Sequence, residues 1–385
     1  MAHRLTALAT LLATLPLAGC ITVPPSYGPV AGPCPAHTAD PATAANPVYF
    51  VTTGRPDCLD GTPLALSIGR GSLRPYGAVA PSPLRYGVAT AGTAALPVLS
   101  LADAGAWHAR LGTDLRGKGG RVLLYVHGYN NTPAEALSQA DQIALAAGFD
   151  GPVIAFLWPS QHSLAKYTWD EENARWSQAW FDAVLADLAG RAGDVVLVSH
   201  SMGNDIAIEG LRRLQASAPG LAAKVRTVVL AAPDLDRELF DRDLAPAIVG
   251  PGRRVAVFAS GHDIPLRTSW AVHGNPRAGD VGCAFAVRRK PAAGAARCYP
   301  AEQGRPGEMI VIDGSDIAHS RFGHGNHIET PEGRAVLRRI VSPVAGAPGM
   351  TERVLVLRPG AAPECAGKAG RLGLAFRVVG CGVGK

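Results

Sequence analysis

The sequence predicts an α/β fold, with a mostly parallel central sheet and helices on both faces. Three observations lead there. From about residue 46 to 345, short apolar runs alternate with stretches of helical spacing, the pattern of strand–helix–strand units. The runs are continuous rather than alternating, as in strands buried on both faces. Composition is that of a globular chain, 47% hydrophobic and 18% charged. The 385 residues allow more than one domain, although a single α/β domain can be this large.

The elements follow in order. Val122–Val126 reads as a buried strand. Thr132 can cap the next helix, with Pro133 in its first turn and the helical spacing running to Ala147. Val153–Leu157 is a second strand, and Ala179–Ala192 is helical. Asp194–Val198 is a third strand and Asp205–Ala216 a helix, mildly interrupted at Gly210. Val225–Leu230, Arg254–Ala259 and Met309–Ile312 are further strands, and Glu332–Val341 a closing helix. Beyond it, residues 346–385 form an extension containing Cys365 and Cys381. Its stretches Arg353–Leu357 and Leu372–Val379 are strand-like, which suggests a small β appendage. No internal repeat is visible.

The N-terminus reads as an address. Residues 1–19 have a basic start at His3 and Arg4, an apolar run from Leu5 to Leu17, and then Ala18-Gly19-Cys20, the layout of an export signal. Leu17-Ala18-Gly19-Cys20 resembles the bacterial lipobox. That resemblance implies cleavage before Cys20, a lipid on its thiol and attachment to a membrane surface without a spanning helix. Ile21 follows where an Asp would suggest inner-membrane retention, so the outer membrane, facing the periplasm, is expected. Residues 20–45, rich in Pro, Ala, Gly and Thr, read as a flexible tether. Six cysteines remain, an even number that suggests disulfides in an exported chain. Pairing sequence neighbours gives 34–58, 283–298 and 365–381, one of several connectivities. No CxxC spacing suggests zinc held by these cysteines.

Net charge is +6, mild and scattered. The clusters Arg253-Arg254, Arg288-Arg289-Lys290 and Arg338-Arg339 read as solvated surface, and no nucleic-acid partner is expected. No uncharged apolar run of ~18 residues occurs beyond the first twenty positions, which excludes a polytopic membrane protein.

The chemistry centres on Ser201. The stretch Val195-Val196-Leu197-Val198-Ser199-His200-Ser201-Met202-Gly203-Asn204 runs from a strand into a helix. It resembles the nucleophile elbow of α/β-hydrolases, where a serine occupies a tight strand-to-helix turn. Such a turn needs small residues two before and two after the serine. Gly203 fits; Ser199 stands where glycine is commoner, but it is small. The Met202 backbone N–H would sit at the helix N-terminus, facing a developing oxyanion. Upstream, His127-Gly128-Tyr129-Asn130-Asn131 follows a strand and precedes a helix. It looks like the loop that supplies the second oxyanion donor in this fold, here the Tyr129 N–H.

These motifs resemble the bacterial α/β-hydrolase family once catalogued as DUF900. Further matching stretches are Tyr49-Phe50-Val51-Thr52-Thr53-Gly54-Arg55, Trp158-Pro159-Ser160, Tyr167-Thr168-Trp169-Asp170, Ala232-Pro233-Asp234-Leu235-Asp236 and Phe322-Gly323-His324. They keep the family's order and cover residues 46–345. The resemblance implies an α/β-hydrolase fold and a hydrolytic triad, with the substrate open.

A serine nucleophile needs a base and an orienting acid, in the chain order Ser, acid, His. Asp263 is the favoured acid on the family's topology. Asp234 is the rival; Asp234 and Asp236 otherwise read as helix caps or pocket lining. His324 is the favoured base, ahead of His327 and His319. These histidines with Asp313, Asp316 or Glu329 also admit a metal, but their spacing matches no strong zinc motif, so neither metal nor cofactor is expected. Trp158 and His127 are expected to contact substrate, among an aromatic concentration that includes Tyr167, Trp169, Trp176 and Trp180. Asp170, Glu171 and Glu172 read as helix-start charges. The whole describes a membrane-anchored serine hydrolase of small-molecule carboxylic esters. The rival is an envelope lipoprotein that keeps the fold for binding.

Overall fold

In the central strand Arg121–Val126, successive side chains enter two different cores. Val122, Leu124 and Val126 pack on one face, Leu123 and Tyr125 on the other, and all five are buried. That is why the apolar run is continuous: a strand covered on both sides has no solvent face to mark with polar residues. The computed structural model describes residues 37–57, 64–70, 83–91, 97–282, 297–300, 308–317, 322–343, 350–359 and 371–372.

The chain opens with β1 (Val48–Thr52), a small hairpin of β2 (Gly54–Asp57) and β3 (Ala65–Arg70), then β4 (Arg85–Thr90), β5 (Val98–Ala102) and α1 (Ala104–Gly117). The alternating body follows: β6 (Arg121–Val126), α2 (Pro133–Ala147), β7 (Val153–Leu157), α3 (Tyr167–Arg191), β8 (Asp194–His200) and α4 (Gly203–Ser217). Short α5 (Pro219–Ala222) leads to β9 (Val225–Ala231), and α6 (Arg237–Leu239) and α7 (Ala245–Ile248) lead to β10 (Arg254–Ala259). The described chain continues with α8 (Ile264–His273), β11 (Met309–Asp313), α9 (Asn326–Glu329), α10 (Pro331–Val341) and β12 (Val354–Val356).

Among the described residues, ten strands form one sheet in the order β12-β11-β10-β9-β8-β6-β7-β1-β4-β5. Pairing is parallel from β12 to β1 and antiparallel at β1–β4 and β4–β5. One core holds residues of α1, α3 and α4; the other holds residues of α2 and α10. This is an α/β-hydrolase fold, with its parallel strands ending together on one edge.

Most expected elements stand within a residue or two of their observed bounds. Thr132 caps α2 in a full capping box, its side chain accepting from Glu135 N while Glu135 accepts from Thr132 N. Two differences stand out. Helix α3 starts at Tyr167 rather than near Ala179. Its first half carries buried Asp170, Asn173 and Ser177, polar residues that hide the apolar spacing. Of the two strand-like stretches in the C-terminal extension, the first forms β12, which joins the main sheet beside β11 in parallel register rather than standing apart, and residues 373–379 of the second lie outside the described residues. Leu372 is buried in the α2–α10 core, with Arg371 N and Leu372 N donating to the Asp141 carboxylate.

Cys298 is disulfide-bonded. The expected signal at 1–19, Cys20, Cys34, Cys58, Cys283, Cys365, Cys381 and His319 lie outside the described residues. Among the described residues no helix is long and apolar enough to cross a membrane.

Candidate active site

Ser201 sits in the turn between β8 and α4 with φ 52°, a left-handed conformation that costs a non-glycine residue of order 1–3 kcal/mol. Local packing holds it there. The Ser201 N–H donates to Ala231 O at 2.9 Å. Asn204 Nδ2 donates to Ser201 O at 2.7 Å and to Ala231 O at 3.1 Å. The Ser199 hydroxyl donates to Asn204 Oδ1 at 2.7 Å, so the serine found where glycine is commoner fixes the amide that clamps the turn. Gly203 has no alternative, because a Cβ there would lie 2.3 Å from His127 O. Helix α4 thus begins directly against the end of β6.

Gly128 makes the same argument from the facing loop. A Cβ on it would stand 2.8 Å from the Ser201 Cβ. The loop therefore passes against the serine and carries the Tyr129 N–H with it. Among the described residues, neither Tyr129 N nor Met202 N donates a backbone hydrogen bond, which leaves both expected oxyanion donors uncommitted.

The structure separates the two candidate acids. Asp263 Oδ2 lies 2.7 Å from His324 Nδ1, while its Oδ1 caps α8 by accepting from Leu266 N at 2.9 Å. Asp234 is committed elsewhere: Arg277 Nε at 2.7 Å, the Ser269 hydroxyl at 2.6 Å and the Tyr167 hydroxyl at 2.6 Å all donate to its carboxylate. Burial pushes the His324 imidazole down, but the Asp263 charge and hydrogen bond, aided by Asp234 and Glu329, push it up by more. Its pKa is therefore raised. His327 goes the other way. It is buried, has no carboxylate partner among the described residues, and burial followed by the His324 charge lowers it to about 3.

His324 reaches the elbow through His200, the residue before the serine. Their ring centroids are 4.6 Å apart, and His200 Nε2 contacts His324 O at 3.3 Å. Burial and the neighbouring His324 and His327 hold His200 well below the ordinary histidine range, so it packs as a neutral ring. Ser201 Oγ makes no hydrogen bond among the described residues. A resting serine–histidine bond is often completed only when substrate binds. A small cavity of about 10 Å³ beside His324 is lined by Ala232, Phe258, Asp263, Ile312 and His327. Among the described residues no three His, Cys, Asp or Glu side chains group as metal ligands.

His127 and Trp158, the residues expected to contact substrate, brace the two loops through each other. Their rings stack at 4.8 Å with an interplanar angle of 2°. Trp158 Nε1 donates to His127 O at 2.9 Å, and Trp158 N donates to His127 Nε2 at 3.2 Å. His127 Nδ1 lies 2.9 Å from Gly128 O. With burial lowering its pKa to about 4, the ring is neutral, and its Nε2 also lies 3.1 Å from Trp158 O. The side-chain polar atoms of both residues are thereby spent.

Sequence reading missed Asp170. It is fully buried, not a surface helix-start charge. Its carboxylate accepts from the Ser160 hydroxyl at 2.6 Å, Gln161 N at 2.7 Å and Asn130 N at 3.3 Å. One carboxylate thus ties the loop after β6, which carries Tyr129, to the loop after β7. Burial raises its pKa and the three hydrogen bonds pull it back in part. Glu171 and Glu172 do behave as surface charges, pairing with His273 and Arg175. The signal for Asp170 was its place in the Tyr167–Asp170 stretch.

The family model described as "Alpha/beta hydrolase of unknown function (DUF900)" matches residues 103–331. The chain belongs to this family. In DUF900 terms, the matched region runs from the start of α1 to the start of α10 and so contains the elbow, the Gly128 loop, Asp263 and His324. No curated protein matches the chain. Among solved structures it is similar to an esterase from Pyrobaculum calidifontis, at 13% identity over 58% of this chain and 75% of that one, with a TM-score of 0.32. It is also similar to a predicted CIB-like hydrolase from Thermoplasma acidophilum, at 13% identity over 67% and 90%, TM-score 0.30. A third likeness is to fungal esterases from Rhizomucor miehei, at 12% identity over 78% and 84%, TM-score 0.34.

Proposed function

We propose that this DUF900 chain is a serine hydrolase of carboxylic esters, with Ser201 as nucleophile, His324 as base and Asp263 as orienting acid. The observation that carries the reading is the 2.7 Å Asp263–His324 contact, packed against His200, the neighbour of a serine held at positive φ. In the reaction, Ser201 Oγ attacks the ester carbonyl carbon and His324 Nε2 takes its proton. Asp263 keeps the imidazole oriented through Nδ1 and stabilises the imidazolium. Tyr129 N and Met202 N donate to the oxyanion, each worth roughly 3–4 kcal/mol in comparable sites. Collapse expels the alcohol, which takes the proton from His324. Water, deprotonated by the same histidine, then hydrolyses the acyl-serine.

In the same reading the hydrolase domain spans residues 46–345, preceded by a signal at 1–19 and a tether at 20–45 and followed by the extension at 346–385. Cys20 carries the lipid, and the enzyme stands at the outer membrane facing the periplasm. The disulfides follow the neighbour pairing.

The test is hydrolysis of a p-nitrophenyl ester series by the full chain, with Ser201→Ala, His324→Ala and Asp234→Ala alongside. A p-nitrophenol burst in wild type, lost with Ser201 or His324, is the expected result. Retention of turnover in Ser201→Ala would contradict the assignment.

A further inference from the structure

At the opposite edge of the sheet, where the parallel strands begin, an open cleft of about 620 Å³ is lined by Arg121, Asp194, Arg226 and Arg254, with Gly119, Gly193, Thr227, Val341 and Pro343. The volume is that of a small-molecule site. Register explains the clustering. Arg121 stands opposite Asp194, and Arg254 opposite Thr227, the neighbour of Arg226, so the four charges lie at the starts of β6, β8, β9 and β10, which are consecutive in the sheet.

The three arginines differ in how they are held. Arg121 Nε donates to Asp194 Oδ2 at 2.9 Å and its Nη2 to Val341 O at 2.8 Å. Arg254 Nη1 donates to Ile340 O at 2.8 Å. Both guanidiniums are therefore anchored on the last carbonyls of α10, with further N–H groups unspent. Arg226 is exposed between buried Val225 and Thr227, and no charged or hydrogen-bonding partner engages it among the described residues. Asp194 gives one oxygen to Arg121, and its other oxygen is buried. The cleft thus combines two positioned guanidiniums, one uncommitted guanidinium and a single carboxylate already neutralised. Gly119 and Gly193 add no side chain to its floor. Planar guanidinium forks in this arrangement suit the oxygens of a phosphate group.

We infer that this cleft binds a phosphate ester, with Arg226 as the determining contact and Arg121 and Arg254 as its fixed flanks. The site is independent of the ester chemistry at the other edge and does not rest on it. The phosphate can come from a soluble phosphomonoester or from a phospholipid headgroup, and the test separates the two.

The full chain carrying Cys20→Ser, which removes any lipid anchor, is titrated with inorganic phosphate by calorimetry. It is also tested for co-sedimentation with phosphatidylcholine vesicles with and without phosphatidic acid. Arg226→Ala and Arg226→Lys are compared, with circular dichroism as the fold check. The expected result is binding to at least one probe that weakens about tenfold or more in Arg226→Ala and is only partly restored by lysine. Binding to phosphate identifies a soluble ligand; binding only to phosphatidic acid vesicles identifies a headgroup. No binding to either probe, or binding unchanged in Arg226→Ala, overturns the inference.

Discussion

The two edges of the parallel sheet turn the chain in different ways. After the carboxyl ends of β6, β7, β8 and β9, the turns use Asn130, His162, Ser201 and Ala232 at positive φ, at 59°, 46°, 52° and 45°. Before the amino ends of β6 and β10, positive φ falls on Gly119, Gly120 and Gly252, at 71°, 71° and 76°. Glycine takes that conformation without strain; the other residues do not. The buried polar groups differ as well. At the carboxyl edge they are carboxylates and imidazoles in contact with one another, as in the Asp263–His324 pair and the edge-on contact of the His200 and His324 rings. At the amino edge buried Arg253 donates to the carbonyls of Val225, Ile248 and Ala222, simply closing off chain ends. Strain and titratable groups collect at the carboxyl edge, where ligands bind in open α/β sheets, while the amino edge holds chain-end closures beside the open arginine cleft.

Substitutions graded across the two edges test that contrast. The largest effect belongs to the proposed acid–base pair: Asp263→Asn is expected to lower kcat about 10⁴-fold, while Asp234→Asn, whose partners are Arg277, Tyr167 and Ser269, costs far less and moves the acidic limb less than Asp263→Asn does, because its charge raises His324 less than that of Asp263. Equal losses with equal profile shifts would erase the distinction between the two acids. Next is Gly203→Ala, whose added Cβ has 2.3 Å to His127 O. A loss of roughly 1–3 kcal/mol or more is expected in chemical denaturation, and wild-type stability would refute the close approach of α4 to β6. Asp170→Asn keeps the shape but weakens three hydrogen bonds. It should lower kcat by about 10- to 100-fold with KM little changed, since the loop carrying Tyr129 loses its anchor. At the amino edge, Lys118→Ala removes an exposed pair with Asp150 and should change neither activity nor stability by more than about 0.5 kcal/mol.

Acidity gives a further test, because activity and stability respond oppositely. The His324 pKa is raised above its ordinary 6.5. The stabilising charged pair is complete below 6.5 and is lost as pH rises through the raised value. In the proposed reaction His324 acts as a neutral imidazole, so kcat/KM should rise through that same value. In Asp263→Asn the acidic limb should move to lower pH. A limb that stays in place would mean another group titrates.

Much of the fold was legible because buried parallel strands leave continuous apolar runs, as Val153–Leu157 and Arg254–Ala259 do. Helix α3 was read short because Asp170, Asn173 and Ser177 face inward to bind loops and strand ends, and polar residues in a core break the periodicity that marks one. The elbow was legible from Ser201 and Gly203, whose residue types the turn geometry dictates. The choice between Asp234 and Asp263 was not, since both follow strands and only the contact with His324 separates them. The bracing contacts of His127 and Trp158 were not legible for a related reason. A side chain at a strand end can face the ligand or brace the loop, and its backbone contacts decide which.

The most direct measurement is fluorophosphonate labelling of the full chain followed by peptide mass mapping. A single phosphonyl adduct on Ser201 is expected, absent in Ser201→Ala and formed far more slowly in His324→Ala and Asp263→Asn. An unlabelled but folded wild type, or an adduct on another serine, would contradict the assignment.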